Sequence, residues 1–112
     1  MSAYRKETVS FRLLELEGDL LPVLTEAIEG IEVKTKRHEE SDRLVVTFDL
    51  EEKRDYDKLC RFIVEQKIPR PNYGIWISLV TEADSGGAHV PAYVIELVQR
   101  IGGQIDFSFV SI

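Results

Sequence analysis

Gly102-Gly103-Gln104-Ile105-Asp106-Phe107-Ser108-Phe109 combines a helix stop with an alternating strand that begins at once behind it. Glycine ends helices because it accepts the left-handed backbone that other residues resist. Ile105, Phe107 and Phe109 then fall on one side and Asp106 and Ser108 on the other, the period-two pattern of a strand. Upstream, Pro91 suits the first turn of a helix. Val94, Ile95, Leu97, Val98 and Ile101 follow at helical spacing as its buried side. The chain closes on a helix–strand unit, and the same alternation of patterns runs back to residue 7.

Immediately before that unit, Glu82-Ala83-Asp84-Ser85-Gly86-Gly87-Ala88-His89 predicts a mobile loop. Tyr73 to Thr81 is apolar on both faces, Ile75, Ile77 and Leu79 opposing Trp76 and Val80. The two prolines of Lys67-Ile68-Pro69-Arg70-Pro71-Asn72 make a connector. Tyr56, Leu59, Cys60, Ile63 and Val64 form the stripe of a helix that Asp55 would cap. Leu44, Val46, Phe48 and Leu50 point inward from a strand, and Ile31 to Arg37 gives its hairpin partner across Glu39-Glu40-Ser41-Asp42. Leu20 to Ile28 reads as a helix capped by Asp19 and stopped by Gly30. Residues 8–16 are the first strand, with Val9, Phe11 and Leu13 on one face and Leu14 and Leu16 on the other. The order β-α-β-β-α-β-α-β predicts an α+β two-layer sandwich over residues 1–112 as one domain. Its first six elements match a ferredoxin-like βαββαβ core with both helices on one sheet face. The final helix and strand are an addition whose place in the sheet the sequence leaves open.

Composition narrows the function classes. At 112 residues, 44% apolar and 30% charged, the chain is of soluble globular type. No apolar run approaches the ~20 residues of a membrane span, and the N-terminus lacks the apolar region of a signal peptide. A single cysteine excludes an internal disulfide and points to the cytoplasm. The net charge of −6 argues against nucleic acid and anionic membranes and suits a basic protein partner.

No catalytic, metal or cofactor set stands out. His38 and His89 lie in separate turns without further ligands, where a metal site needs three or four. Cys60 sits on an apolar stripe, the setting of an inert thiol. Asp84-Ser85-Gly86-Gly87 lacks the lysine and the glycine spacing of a phosphate loop. The carboxylates Glu39, Glu40, Asp42, Asp49, Glu51, Glu52, Asp55 and Asp57 cluster in one third of the chain, and several should meet at the end of the hairpin near the second helix. Interleaved with Lys53, Arg54 and Lys58 they read as a solvated, salt-bridged rim, with a docking surface as the alternative. If Ile75, Ile77 and Leu79 face the helices, Trp76 and Val80 face outward, with Tyr73, Val45 and Val110 close by. That face would be a contact surface for a homodimer or another protein, unless the third helix crosses to cover it.

Two resemblances add expectations. Residues 9–81 resemble an ACT-type regulatory domain, most of all in Glu17-Gly18-Asp19-Leu20-Leu21-Pro22-Val23-Leu24-Thr25-Glu26-Ala27-Ile28 and Gly30-Ile31-Glu32-Val33. The resemblance implies an amino-acid or similar ligand at the turn holding Gly18 and Asp19. The run Val94-Ile95-Glu96-Leu97-Val98-Gln99-Arg100-Ile101-Gly102-Gly103-Gln104-Ile105-Asp106-Phe107 is similar to the C-terminal end of a family of small bacterial domains of uncharacterised function, some of them taken for toxin-immunity proteins. Together with the acidic balance and the absent catalytic set, it implies a non-enzymatic protein-binding domain that neutralises a basic toxin. The sheet face and the acidic cluster supply the candidate contact residues Trp76, Tyr73, Val80, Glu39, Glu40 and Asp42. The competing expectation is the ACT-like sensor at Gly18.

Overall fold

The computed structural model describes residues 5–38, 42–81 and 90–111. Among these residues the strands are β1 (Arg5–Glu17), β2 (Val33–Arg37), β3 (Arg43–Asp49), β4 (Tyr73–Thr81) and β5 (Gln104–Ser111). The helices are α1 (Leu21–Ala27), α2 (Asp57–Glu65) and α3 (Ala92–Ile101). The five strands form one sheet in the order β2-β3-β1-β4-β5. β1 is antiparallel to β3 and β4, β2 is antiparallel to β3, and β5 runs parallel to β4. The molecule is a mixed α/β fold with helices on one side of the sheet.

All three helices occupy that side. α2 lies between α1 and α3, and Leu24, Ile28, Leu59, Phe62, Ile63, Val94 and Leu97 share one core with Phe11, Leu13, Val46, Phe48, Ile75 and Ile77. Phe11 stacks on Phe48 at 5.4 Å and on Tyr73 at 6.1 Å, tying the central strand to both neighbours. The third helix therefore does not cross the sheet. A right-handed connection from β4 to a parallel β5 brings it back to the side already occupied.

Several expectations shift. Leu16 is buried with the rest of the core, because two residues of β1, Leu14 and Glu15, oppose the single residue Val45 of β3 between Leu13 and Leu16. Leu14 stays outward by ordinary alternation, and the extra residue returns Leu16 to the helix side. Asp19 caps nothing: Gly18–Leu20 forms a 3-10 turn, and α1 begins at Leu21 behind it. Asp55 acts close to where it was expected, its carboxylate accepting the Asp57 N–H at 2.8 Å. β2 starts at Val33 instead of Ile31. On α2 the exposed residue is Val64 and the buried one Phe62, since the helix touches neighbours on both flanks.

The helix stop is real and sterically required. Gly102 and Gly103 have φ of +74° and +100°. A Cβ at Gly102 would stand 2.9 Å from the Arg70 side chain, and one at Gly103 would stand 3.0 Å from the Tyr73 ring. No other residue allows the chain to turn from α3 into β5 that tightly.

Candidate functional site

With the helices on one side, the other face of the sheet carries no helix among the described residues. β1 gives it Lys6, Thr8, Ser10, Arg12 and Leu14; β4 gives Trp76, Ser78 and Val80; β5 gives Asp106 and Ser108. Lys34, Lys36, Val45 and Thr47 complete it from β2 and β3. The Arg12 guanidinium lies 4.5 Å from the centre of the Trp76 ring, a cation–π contact, and Trp76 is half-buried. Trp76, Val45 and Val80 do share this face, as the sequence predicts, but hydroxyls and cations separate them. The Arg12 Nε is buried without a hydrogen-bond partner among the described residues. A notch of about 90 Å³ beside it is smaller than the ~300 Å³ at which ligand pockets begin.

Tyr73 does not belong to this face. It is buried on the helix side, its ring against Phe11 and its hydroxyl donating to the Ile101 carbonyl. The expectation that Tyr73 meets a partner is corrected by that alternation: Tyr73 is in phase with Ile75 and Ile77, not with Trp76.

The acidic residues gather only in part: Asp49, Glu51 and Glu52 share one groove. Glu39 and Glu40 lie outside the described residues, as do His89 and the loop of residues 82–89. Asp42 is exposed and pairs with Arg37 at 3.4 Å. It precedes β3, whereas Asp49 ends it and Glu51, Glu52, Asp55 and Asp57 follow. Seven residues at ~3.4 Å each separate the two groups by about 24 Å.

The second group meets a carboxylate that sequence reasoning missed. Glu7 enters from β1, in register with Leu79 on the helix side. With Asp49, Glu51 and Glu52 it lines a groove of about 650 Å³ whose other wall is Val90, Pro91, Ala92 and Tyr93 at the start of α3. The backbone here is fixed from below. Leu50 N–H donates to the Val9 carbonyl at 2.8 Å, and Tyr56 Oη accepts the Glu51 N–H at 2.6 Å. Burial, then the nearby Tyr56, Glu52 and Glu7, holds the Tyr93 phenol above its ordinary pKa. Glu51 also reaches Arg54 at 3.7 Å. Glu7 carries no motif, and only strand register brings it to Asp49.

The remaining candidates are inert or open. Cys60 is buried, and burial pushes its thiol pKa up, away from the thiolate a nucleophile needs. His38 Nε2 donates to the Leu14 carbonyl at 2.7 Å. A Cβ on Gly18 would stand 3.7 Å from the Asp42 carbonyl, an ordinary contact, so the turn does not demand glycine. Among the described residues no group of three His, Cys, Asp or Glu could hold a metal ion, and no helix is long and apolar enough to cross a membrane. No family model, curated protein or solved structure matches the chain.

Proposed function

We propose that this chain is a non-enzymatic protein-binding domain that takes a basic partner in the groove between the ends of β1 and β3 and the start of α3. The observation that carries the reading is the lining: Glu7, Asp49, Glu51 and Glu52 surround a wall of Val90 and Tyr93. Lysine and arginine have that same division, an apolar stem and a charged head, so one side chain can use both parts. The resemblance at the C-terminal end gives the reading a biological form, a cytoplasmic bacterial immunity protein that neutralises a basic toxin. We also read β1 to β4 with α1 and α2 as a ferredoxin-like core extended by α3 and β5. In support, β1 lies between β3 and β4, and every pairing within that part is antiparallel.

The test is binding of a fluorescent lysine- and arginine-rich peptide to the native chain and to the Asp49→Asn, Glu51→Gln, Glu52→Gln triple variant. Native binding should weaken steadily as salt rises from about 0.05 to about 0.5 M, through the range where the screening length contracts to a few ångströms. The triple variant should bind at least about tenfold more weakly, the cost of losing ~1.4 kcal/mol. Equal affinity for the two proteins removes the groove from the reading.

A further inference from the structure

Phe107 and Phe109 point to the helix side of β5, yet they are 54% and 46% exposed. α3 stands over β4 with Val94, Leu97 and Ile101 buried beneath it, and its flank away from α2 presents Ile95, 45% exposed, beside the half-buried Val98. Among the described residues nothing lies beyond β5. The sandwich is therefore left one element short at this edge, where four neighbouring apolar residues meet water together.

The strand below them has an edge ready to pair. β5 is eight residues long and terminates the sheet, so among the described residues its outer N–H and C=O groups have no strand opposite. Sheets that stand alone blunt such edges with lysine, proline or bulges. Gln104-Ile105-Asp106-Phe107-Ser108-Phe109-Val110-Ser111 has none of these, and its one charge, Asp106, belongs to the opposite sheet face.

We propose that a second copy of this chain occupies this edge, the two β5 strands pairing antiparallel about a two-fold axis through Ser108. The sequence around that residue is self-complementary. Phe107 then faces the partner's Phe109 and the reverse, while Asp106 falls opposite the partner's Val110, which keeps the two carboxylates apart. The same axis sets the two α3 helices side by side, with both copies of Ile95 over four phenyl rings. Half-exposed rings leave on the order of 100 Å² each in water. With Ile95, both copies together contribute roughly half of the ~1,200 Å² at which specific interfaces begin, and the strand edges and helix flanks extend it. Pairing consumes the edge on both copies, so the assembly closes at two.

The proposal uses a surface separate from the acidic groove and does not depend on it. Sedimentation equilibrium at tens of micromolar should give twice the 12.8 kDa mass of the chain. Phe109→Lys should raise the dimer dissociation constant roughly 30-fold, as loss of a hot-spot residue does. Ile95→Lys alters only the helix flank and should weaken the dimer likewise, which decides the matter if circular dichroism shows that the strand variant misfolds. Trp76→Ser, on the opposite face, should leave the mass unchanged. A monomeric native chain, an open-ended series of oligomers, or a dimer that Trp76→Ser dissociates and Ile95→Lys does not, each overturns the proposal.

Discussion

The sheet ends on one side in β2, five residues with Lys34, Lys36 and Arg37 exposed, and on the other in β5, eight residues with Phe107 and Phe109 half in water. The layers above differ in the same way. Near β2, α1 and α2 are joined by the Lys58–Glu29 ion pair, and Arg54 donates to the Ile28 and Glu29 carbonyls at the end of α1. Near β5, α3 is held by Val94, Leu97 and Ile101, with the Tyr73 hydroxyl on the Ile101 carbonyl. Among the described residues, the ion pair there is Arg100–Asp57 at 2.7 Å. One edge is closed by charge, which repels a further strand, and the other is built from surface that gains by being covered.

The largest effect should come from the apolar side. Leu97 is buried under α3, and Leu97→Ala should cost about 2–5 kcal/mol through lost transfer energy and the cavity left behind. Urea unfolding followed by the fluorescence of Trp76, the chain's single tryptophan, should remain one transition at a lower midpoint. Trp76 lies on β4 in register with Asp106 of β5, so it reports on that boundary. Two separated transitions would mean that α3 and β5 fold apart from the rest, and the single core would have to be abandoned.

A smaller change should break the contrast between the edges themselves. Lys34 and Lys36 are exposed on β2 and pair with Thr47 and Val45 of β3. Replacing both with valine should move stability by no more than about 0.5 kcal/mol, since surface positions away from special features seldom do more. It should nonetheless create a second associating edge, and light scattering should rise with concentration where the native chain stays at a fixed mass. A double variant as well behaved as the native chain would show that strand length, not charge, protects β2.

Much of the fold was legible because period-two and helical patterns are local, and each strand and helix was recognisable from them. The Gly102-Gly103 stop is local too, and the positive φ at both positions follows from it. What was not legible depends on pairing. The irregularity that returns Leu16 to the core appears only in register with β3. Glu7 has no motif and reaches the groove because β1 begins beside the end of β3. Val64 and Ile95 fit their helical stripes by hydrophobicity, yet both are exposed, because the width of the buried face depends on which neighbours flank a helix. Phe107 and Phe109 were correctly placed on one side of the last strand. Their exposure could not be read, since it requires knowing that α3 stops over β4 and leaves β5 uncovered.

The smallest effect concerns the charged side and its response to acid. Glu29 has its pKa held below the ordinary 4.5, first by the hydrogen bond from Lys58 and then by the charge of that ammonium. A carboxylate depressed by folding contributes stability that is present above its unfolded value and lost as pH falls through its folded one. The native chain should therefore lose melting temperature below about pH 4.5 more steeply than Lys58→Gln, in which Glu29 returns toward its ordinary value. Both side chains are well exposed, so the difference should be slight and should shrink as salt is added. Coincident acid limbs for the two proteins would mean that the pair contributes nothing, leaving Arg54 and its two carbonyl contacts to hold α1 beside α2. A clear separation that salt abolishes would place the acid sensitivity on the β2 side of the molecule, opposite the apolar edge.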